Sequence, residues 1–155
     1  MVASTPQRRF KLSWVLIDEL AVGPAPKAER HLDYLEAEGV KAVLSLSSQN
    51  EAPLPEQIEQ RFQYRRLVLP DHKADRFVKL EEIQQAITIL HSLWLHRPVF
   101  VHCVAAMERS PLVCLAWLMQ EQGLSQRQAL DYLMQIHPGT SPLPEQLLVL
   151  NDLAK

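Results

Sequence analysis

Apolar positions along this chain recur with two different periods, and the switches between them predict its elements. From Lys79 to Leu95, the residues Leu80, Ile83, Ile87, Leu90 and Trp94 fall at steps of three and four, which lines them up on one helix face. Pro98 then imposes extended backbone, and Val99-Phe100-Val101 reads as a buried central strand. Ser110 to Gln122 is apolar on most sides (Leu112, Val113, Leu115, Ala116, Leu118, Met119), as a core helix should be, and Gly123 stops it. Ser125 and Gln128 make a capping box for a helix from Ser125 to Ile136. His137-Pro138-Gly139 breaks that helix, and Pro142 to Leu153 reads as a last one.

The first half alternates in the same way. Leu12 to Val22 predicts two short strands around Asp18-Glu19, ended by Gly23-Pro24-Ala25-Pro26. A helix from Lys27 to Glu38 follows, with Gly39 just past its end, then a buried strand from Val40 to Leu46. Pro55 to Arg61 reads as a short helix and Phe62 to Leu69 as a strand. Strands alternating with helices predict an α/β fold, a central and mostly parallel sheet flanked by helices. Sites in such sheets form at the carboxyl ends of the strands.

A chain of 155 residues, 47% hydrophobic and 22% charged, is expected to form one domain, with a core over about 12–153 and a polar N-terminal arm at 1–11. The net charge is -2, and Arg8-Arg9 and Arg65-Arg66 are isolated pairs, so neither nucleic acid nor a membrane is expected as a partner. The first eleven residues lack the apolar stretch of a signal peptide, and no run is long enough to span a membrane. The two cysteines, Cys103 and Cys114, do not make a disulfide framework, which fits a reducing cytoplasm. A monomer is expected.

The chemistry concentrates in Val101-His102-Cys103-Val104-Ala105-Ala106-Met107-Glu108-Arg109-Ser110. Cys103 follows the central strand and precedes the core helix, where outward amides and the helix dipole favour an anionic sulfur. Arg109 closes the same loop. The dipole at a helix start disfavours a cation, so an arginine there makes sense with an anion bound in front of it. Together they predict attack by sulfur on a phosphate ester. Ser110 either caps the helix or hydrogen-bonds the departing Cys103 sulfur. His102 is expected on the opposite strand face, orienting the loop. Cys114, mid-helix among apolar neighbours, reads as core. A proton donor for the leaving oxygen is also required. Asp71, in Leu69-Pro70-Asp71-His72 after a predicted strand, is the first candidate and Asp75 the second; Asp75 fits better as the N-cap of the following helix.

His102-Cys103-x5-Arg109-Ser110 resembles the signature of the cysteine-dependent protein tyrosine phosphatases, and Pro70-Asp71-His72 resembles the tail of their general-acid loop. The short length and element order are similar to the dual-specificity branch, as is the segment Ala129 to Gln146, with Gln146 in Pro144-Glu145-Gln146-Leu147. The resemblance implies a phosphocysteine on Cys103, with Asp71 as acid and then base. It also implies a phosphate loop in which Arg109 and the amides of Val104, Ala105, Ala106, Met107, Glu108 and Arg109 hold the phosphate. No metal or organic cofactor is implied. The implied substrates are phosphotyrosine, phosphoserine and phosphothreonine in a protein or peptide.

The loop departs from the family in having Ala106 where glycine is usual, and Glu108 puts a carboxylate beside the anion site. The rhodanese-fold cell-division phosphatases resemble it in both the glutamate and the lack of glycine. Val104, Ala105, Ala106 and Met107 offer no cation for a highly phosphorylated inositol, which favours phosphoprotein. Two alternatives stay open: a phosphate-binding module that docks phosphorylated partners without turnover, and sulfur or arsenate chemistry on a similar cysteine loop.

Overall fold

Short apolar segments bounded by glycine, proline and polar turns form five strands in the computed structural model, which describes residues 9–153. They are β1 (Ser13–Leu16), β2 (Leu20–Gly23), β3 (Ala42–Ser45), β4 (Gln63–Arg66) and β5 (Val99–His102). The helices are α1 (Glu29–Ala37), α2 (Ile58–Arg61), α3 (Leu80–Leu93), α4 (Arg109–Gln122), α5 (Gln126–Ile136) and α6 (Pro144–Leu150). The sheet order is β1-β2-β5-β3-β4; β1 and β2 pair antiparallel, and every other pair is parallel. This is the predicted architecture.

The site is positioned by β5, the middle strand, which is buried throughout. Successive side chains of a strand point to opposite faces. Val99, Val101 and Cys103 accordingly join the core made with α3 to α6, while Phe100 joins the one made with α1 and α2. Phe100 fills its side so closely that a Cβ on Gly23 of β2 would lie 2.9 Å from its ring, which is why that strand end is glycine. Helix α4 is buried continuously from Arg109 to Leu118, which explains its nearly all-round apolar sequence. Gly123 closes it in a left-handed conformation (φ 72°) with its amide on Leu118 O.

Some boundaries differ from those expected. Helix α3 starts at Leu80 with Lys79 as N-cap, and the Lys79 amide donates to Glu82 Oε1 at 2.9 Å. Asp75 is exposed in the preceding loop and does not cap the helix, because Glu82 bonds back from inside it. The strand expected over 62–69 is regular only from Gln63 to Arg66, although the amides of Leu67 and Leu69 continue to bond Ser45 O and Leu46 O. Helices α1 and α6 are shorter at both ends than their apolar patterns suggested. Most of the expected N-terminal arm, residues 1–8, lies outside the described residues.

Candidate active site

The loop between β5 and α4 is held from outside by its carbonyls. His102 Nδ1 bonds Cys103 O (2.8 Å), and the Ala25 amide bonds Val104 O (3.0 Å). His137 Nε2 bonds Ala106 O (2.7 Å), and the Ser141 amide bonds Met107 O (2.7 Å). In a planar trans peptide the N–H points opposite to the C=O. Pinning these four carbonyls outward therefore turns the amides of Val104, Ala105, Met107 and Glu108 inward. No amide from Val104 to Arg109 has a protein acceptor among the described residues. The result is a concave nest of donors at the start of α4, suited to an anion with several oxygens.

Ala106 takes the conformation the loop demands, φ 59°, in the left-handed region where glycine is the usual residue. Its methyl is fully buried with the α3–α6 core. Alanine is thus accommodated at some backbone strain, offset by packing and by the hydrogen bond from His137.

Cys103 sits at the floor of this nest, 3% exposed, with its Sγ 3.2 Å from Ser110 Oγ. His102 lies behind it, and its tautomer follows from its partners. A carbonyl only accepts, so Nδ1 carries the hydrogen that bonds Cys103 O; Nε2 therefore accepts from Ser45 Oγ–H at 2.5 Å. Burial, opposed in part by the bond to Cys103 O and assisted by the charges of Arg66 and Arg109, pushes its pKa down to about 4. His102 is a neutral bracket for the loop. Cys114 lies in the core, where burial first and the neighbouring Cys103 second push its thiol far up.

Arg109 is 4% exposed and tied on one side. Its Nη1 donates to Leu46 O (3.3 Å), Leu69 O (3.1 Å) and Glu51 Oε2 (3.3 Å), and its Nη2 to Glu51 Oε1 (2.9 Å). The Nε–H has no protein acceptor among the described residues. The free edge of the fork, Nε with the second Nη2 hydrogen, is the geometry that grips two phosphate oxygens. Burial is the largest influence on Glu51 and raises its pKa. The Arg109 hydrogen bond, the Ser48 amide and the Arg109 charge together outweigh burial and leave it lowered.

Across the nest stands the loop after Leu69. Asp71, His72 and Lys73 line one cavity of about 330 Å³ together with Glu51, Cys103, Val104, Ala105, Met107, Glu108 and Arg109. Asp71 is half-buried, with one carboxylate oxygen bonded by the Lys73 amide at 2.9 Å, whereas Asp75 is exposed and outside the cavity lining. Glu108 turns aside from the anion nest. Its Oε2 is 2.6 Å from His72 Nδ1, and its Oε1 accepts from Gln146 Nε2 at 3.1 Å. A larger groove of about 720 Å³ between α4 and α6, lined by Met119, Leu124 and Leu150 among others, holds no comparable set of reactive groups. Among the described residues, no three His, Cys, Asp or Glu side chains are grouped to hold a metal ion.

Each residue singled out in the sequence, apart from Asp75 and Cys114, thus belongs to one site. Five other side chains at the site were not singled out: Glu51, Lys73, Ser45, His137 and Ser13, whose Oγ lies 2.9 Å from His137 Nδ1. Glu51 carried a signal, since Ser48-x-x-Glu51 has capping-box spacing and the two residues do bond reciprocally (2.8 and 3.3 Å). His137 showed only as part of a helix break.

A family profile described as "Dual specificity phosphatase, catalytic domain" matches residues 20–155. The chain is 35% identical over 125 residues to dual specificity protein phosphatase 1-B of Xenopus laevis, covering 79% of this chain and 32% of that protein. It is 25% identical over 153 residues to phosphatidylglycerophosphate phosphatase PTPMT2 of Arabidopsis thaliana, covering 95% of this chain and 67% of that one. The chain therefore spans about a third of the Xenopus protein and about two thirds of the Arabidopsis protein. Among solved structures, the active form of Tk-PTP superposes with a TM-score of 0.76 at 28% identity, covering 92% of this chain and 95% of that one.

Proposed function

This chain belongs to the dual specificity phosphatase family, and from that premise we propose that it hydrolyses phosphate monoesters through a phosphocysteine on Cys103. The observation that carries the proposal is the nest: four outward-pinned carbonyls, inward amides, and a sulfur at its floor. Such a cradle matches the three equatorial oxygens of a phosphoryl group in transfer, and the free edge of Arg109 adds the charge.

In the first step Cys103 Sγ attacks phosphorus, the ester P–O bond breaks, and Asp71 gives its proton to the leaving oxygen. In the second step a water attacks the phosphocysteine, Asp71 takes its proton, the S–P bond breaks and inorganic phosphate leaves. The Ser110 hydroxyl, 3.2 Å from Sγ, stabilises the sulfur as it departs.

The substrates proposed are phosphotyrosine and phosphoserine or phosphothreonine in proteins. The cavity walls of Val104, Ala105 and Met107 are apolar, and its cationic side chains besides Arg109 are Lys73 and His72 when protonated, fewer than a multiply phosphorylated headgroup requires. A lipid phosphomonoester is the second reading. It is favoured by the Arabidopsis relative, which covers nearly all of this chain, and by the exposed Met107 and Phe77.

The first test is hydrolysis of p-nitrophenyl phosphate by wild type and Cys103→Ser, with orthovanadate binding measured on both. Turnover confined to wild type, with vanadate bound by both, is expected. Binding without turnover in the wild type would replace this proposal by a phosphate-binding module. Phosphopeptides and phosphatidylglycerophosphate vesicles, compared by kcat/KM, then separate the two substrate classes.

A further inference from the structure

Glu108 is poorly placed for an anion site and well placed for something else. It immediately precedes Arg109, yet its carboxylate spans two other elements: His72 of the Asp71 loop at 2.6 Å, and Gln146 of α6 at 3.1 Å. A carboxylate only accepts, so His72 Nδ1–H and Gln146 Nε2–H both donate to it. His72 directly follows Asp71, so a bond to His72 limits where the Asp71 carboxyl can stand. The loop is anchored at its ends, by Leu69 on Leu46 and Arg109 and by Arg76 on Glu82 of α3. Between those anchors residues 72–75 are exposed, and among the described residues Asp71 bonds only within the loop, to the amides of Lys73 and Ala74. Gln146 is 3% exposed, so the far end of the tie is rigid.

We propose that Glu108 is a positioning residue which, braced by Gln146 and bonded to His72, fixes the general-acid loop over the phosphate loop. The proposal rests on the phosphatase reading above. It assigns the unusual glutamate a role in proton delivery and none in holding phosphate. It also explains how a carboxylate is tolerated there: both its oxygens are engaged by donors outside the nest.

The test separates acid positioning from phosphate binding by the leaving group. Phenyl phosphate needs a proton donor far more than p-nitrophenyl phosphate does, so the ratio of their kcat/KM values reports acid placement and cancels changes in phosphate affinity. In His72→Ala, kcat/KM for phenyl phosphate should fall about tenfold more than for p-nitrophenyl phosphate, a fraction of the full general-acid effect. His72→Asn, which keeps a donor close to the position of Nδ1, should recover most of the ratio, and Gln146→Leu should shift it in the same direction as His72→Ala. An unchanged ratio in His72→Ala, or no recovery in His72→Asn, overturns the proposal while leaving the phosphatase reading intact. Wild-type turnover that is absent, or that survives Cys103→Ser, overturns both.

Discussion

Replacing Glu51 by glutamine tests how Arg109 is aimed. The side chain keeps its size and one carbonyl oxygen but loses the charge facing a guanidinium that is 4% exposed. At an effective dielectric of about 20, opposite charges about 4 Å apart attract by about 4 kcal/mol. Part of this is already offset by the partial desolvation of Glu51, whose side chain is 30% exposed. A net loss of about 2 kcal/mol at pH 7 is expected, in the range for hydrogen bonds to charged groups. Urea unfolding of the two proteins measures it, and kcat/KM should fall about tenfold as Arg109 loses its orientation. The gap must also depend on pH. The folded-state pKa of Glu51 is lowered, so its contribution is present above its unfolded value and is lost as pH falls through the folded one. Protonated Glu51 is nearly the same shape and charge as glutamine, so the gap should close in acid. A gap under about 0.5 kcal/mol at pH 7, or one that persists unchanged into acid, would show that the carbonyls of Leu46 and Leu69 hold Arg109 unaided.

Asp71→Asn should lower kcat on alkyl phosphates by about 10²–10⁴, and Asp75→Asn should leave it unchanged; the reverse result in steady-state kinetics would move the acid to Asp75. His102 is buried neutral with its pKa pushed down to about 4 from 6.5, so the unfolded chain binds the proton first and stability falls as pH drops through that interval. The fall is worth about 3 kcal/mol, and His102→Asn, which retains a donor for Cys103 O, should flatten that part of the urea-midpoint profile; an unaltered slope would refute the assignment. Ala106→Gly relieves left-handed strain of about 1 kcal/mol but loses a buried methyl and frees the unfolded chain, so its net stability change should stay within about 1 kcal/mol. His137→Ala should weaken vanadate binding by freeing Ala106 O, and calorimetric titration that found equal affinities would remove His137 from the loop's support.

Much of this protein was legible locally. The three-four spacing over Leu80, Ile83, Ile87 and Leu90 marked α3, and Ser125 with Gln128 marked the start of α5, where the capping box is present. Asp75 misled because an aspartate before an apolar run is a common cap; here Glu82, inside the helix, already satisfied the Lys79 amide. The nucleophile loop was conspicuous because Cys103, Arg109 and Ser110 are close in sequence and flanked by a clear strand and helix.

Periodicity, caps and breakers act over a few residues, so the set of elements and the chemistry crowded into one loop can be read along the chain. Which partners support that loop was settled by the packing of distant segments. Glu51 meets Arg109 from 58 positions away, Ser45 meets His102 from 57, and His137 reaches Ala106 from 31. Such pairs leave no period in the chain, because each is a single polar contact: the first two arise where the parallel strands β3 and β5 bring their carboxyl ends to the same edge of the sheet, and the third where the end of α5 packs against the loop. The turning aside of Glu108 is of the same kind. Its position beside Arg109 was visible in the sequence, but the direction of its side chain was set by His72 and Gln146, which the fold brings to it from both directions along the chain.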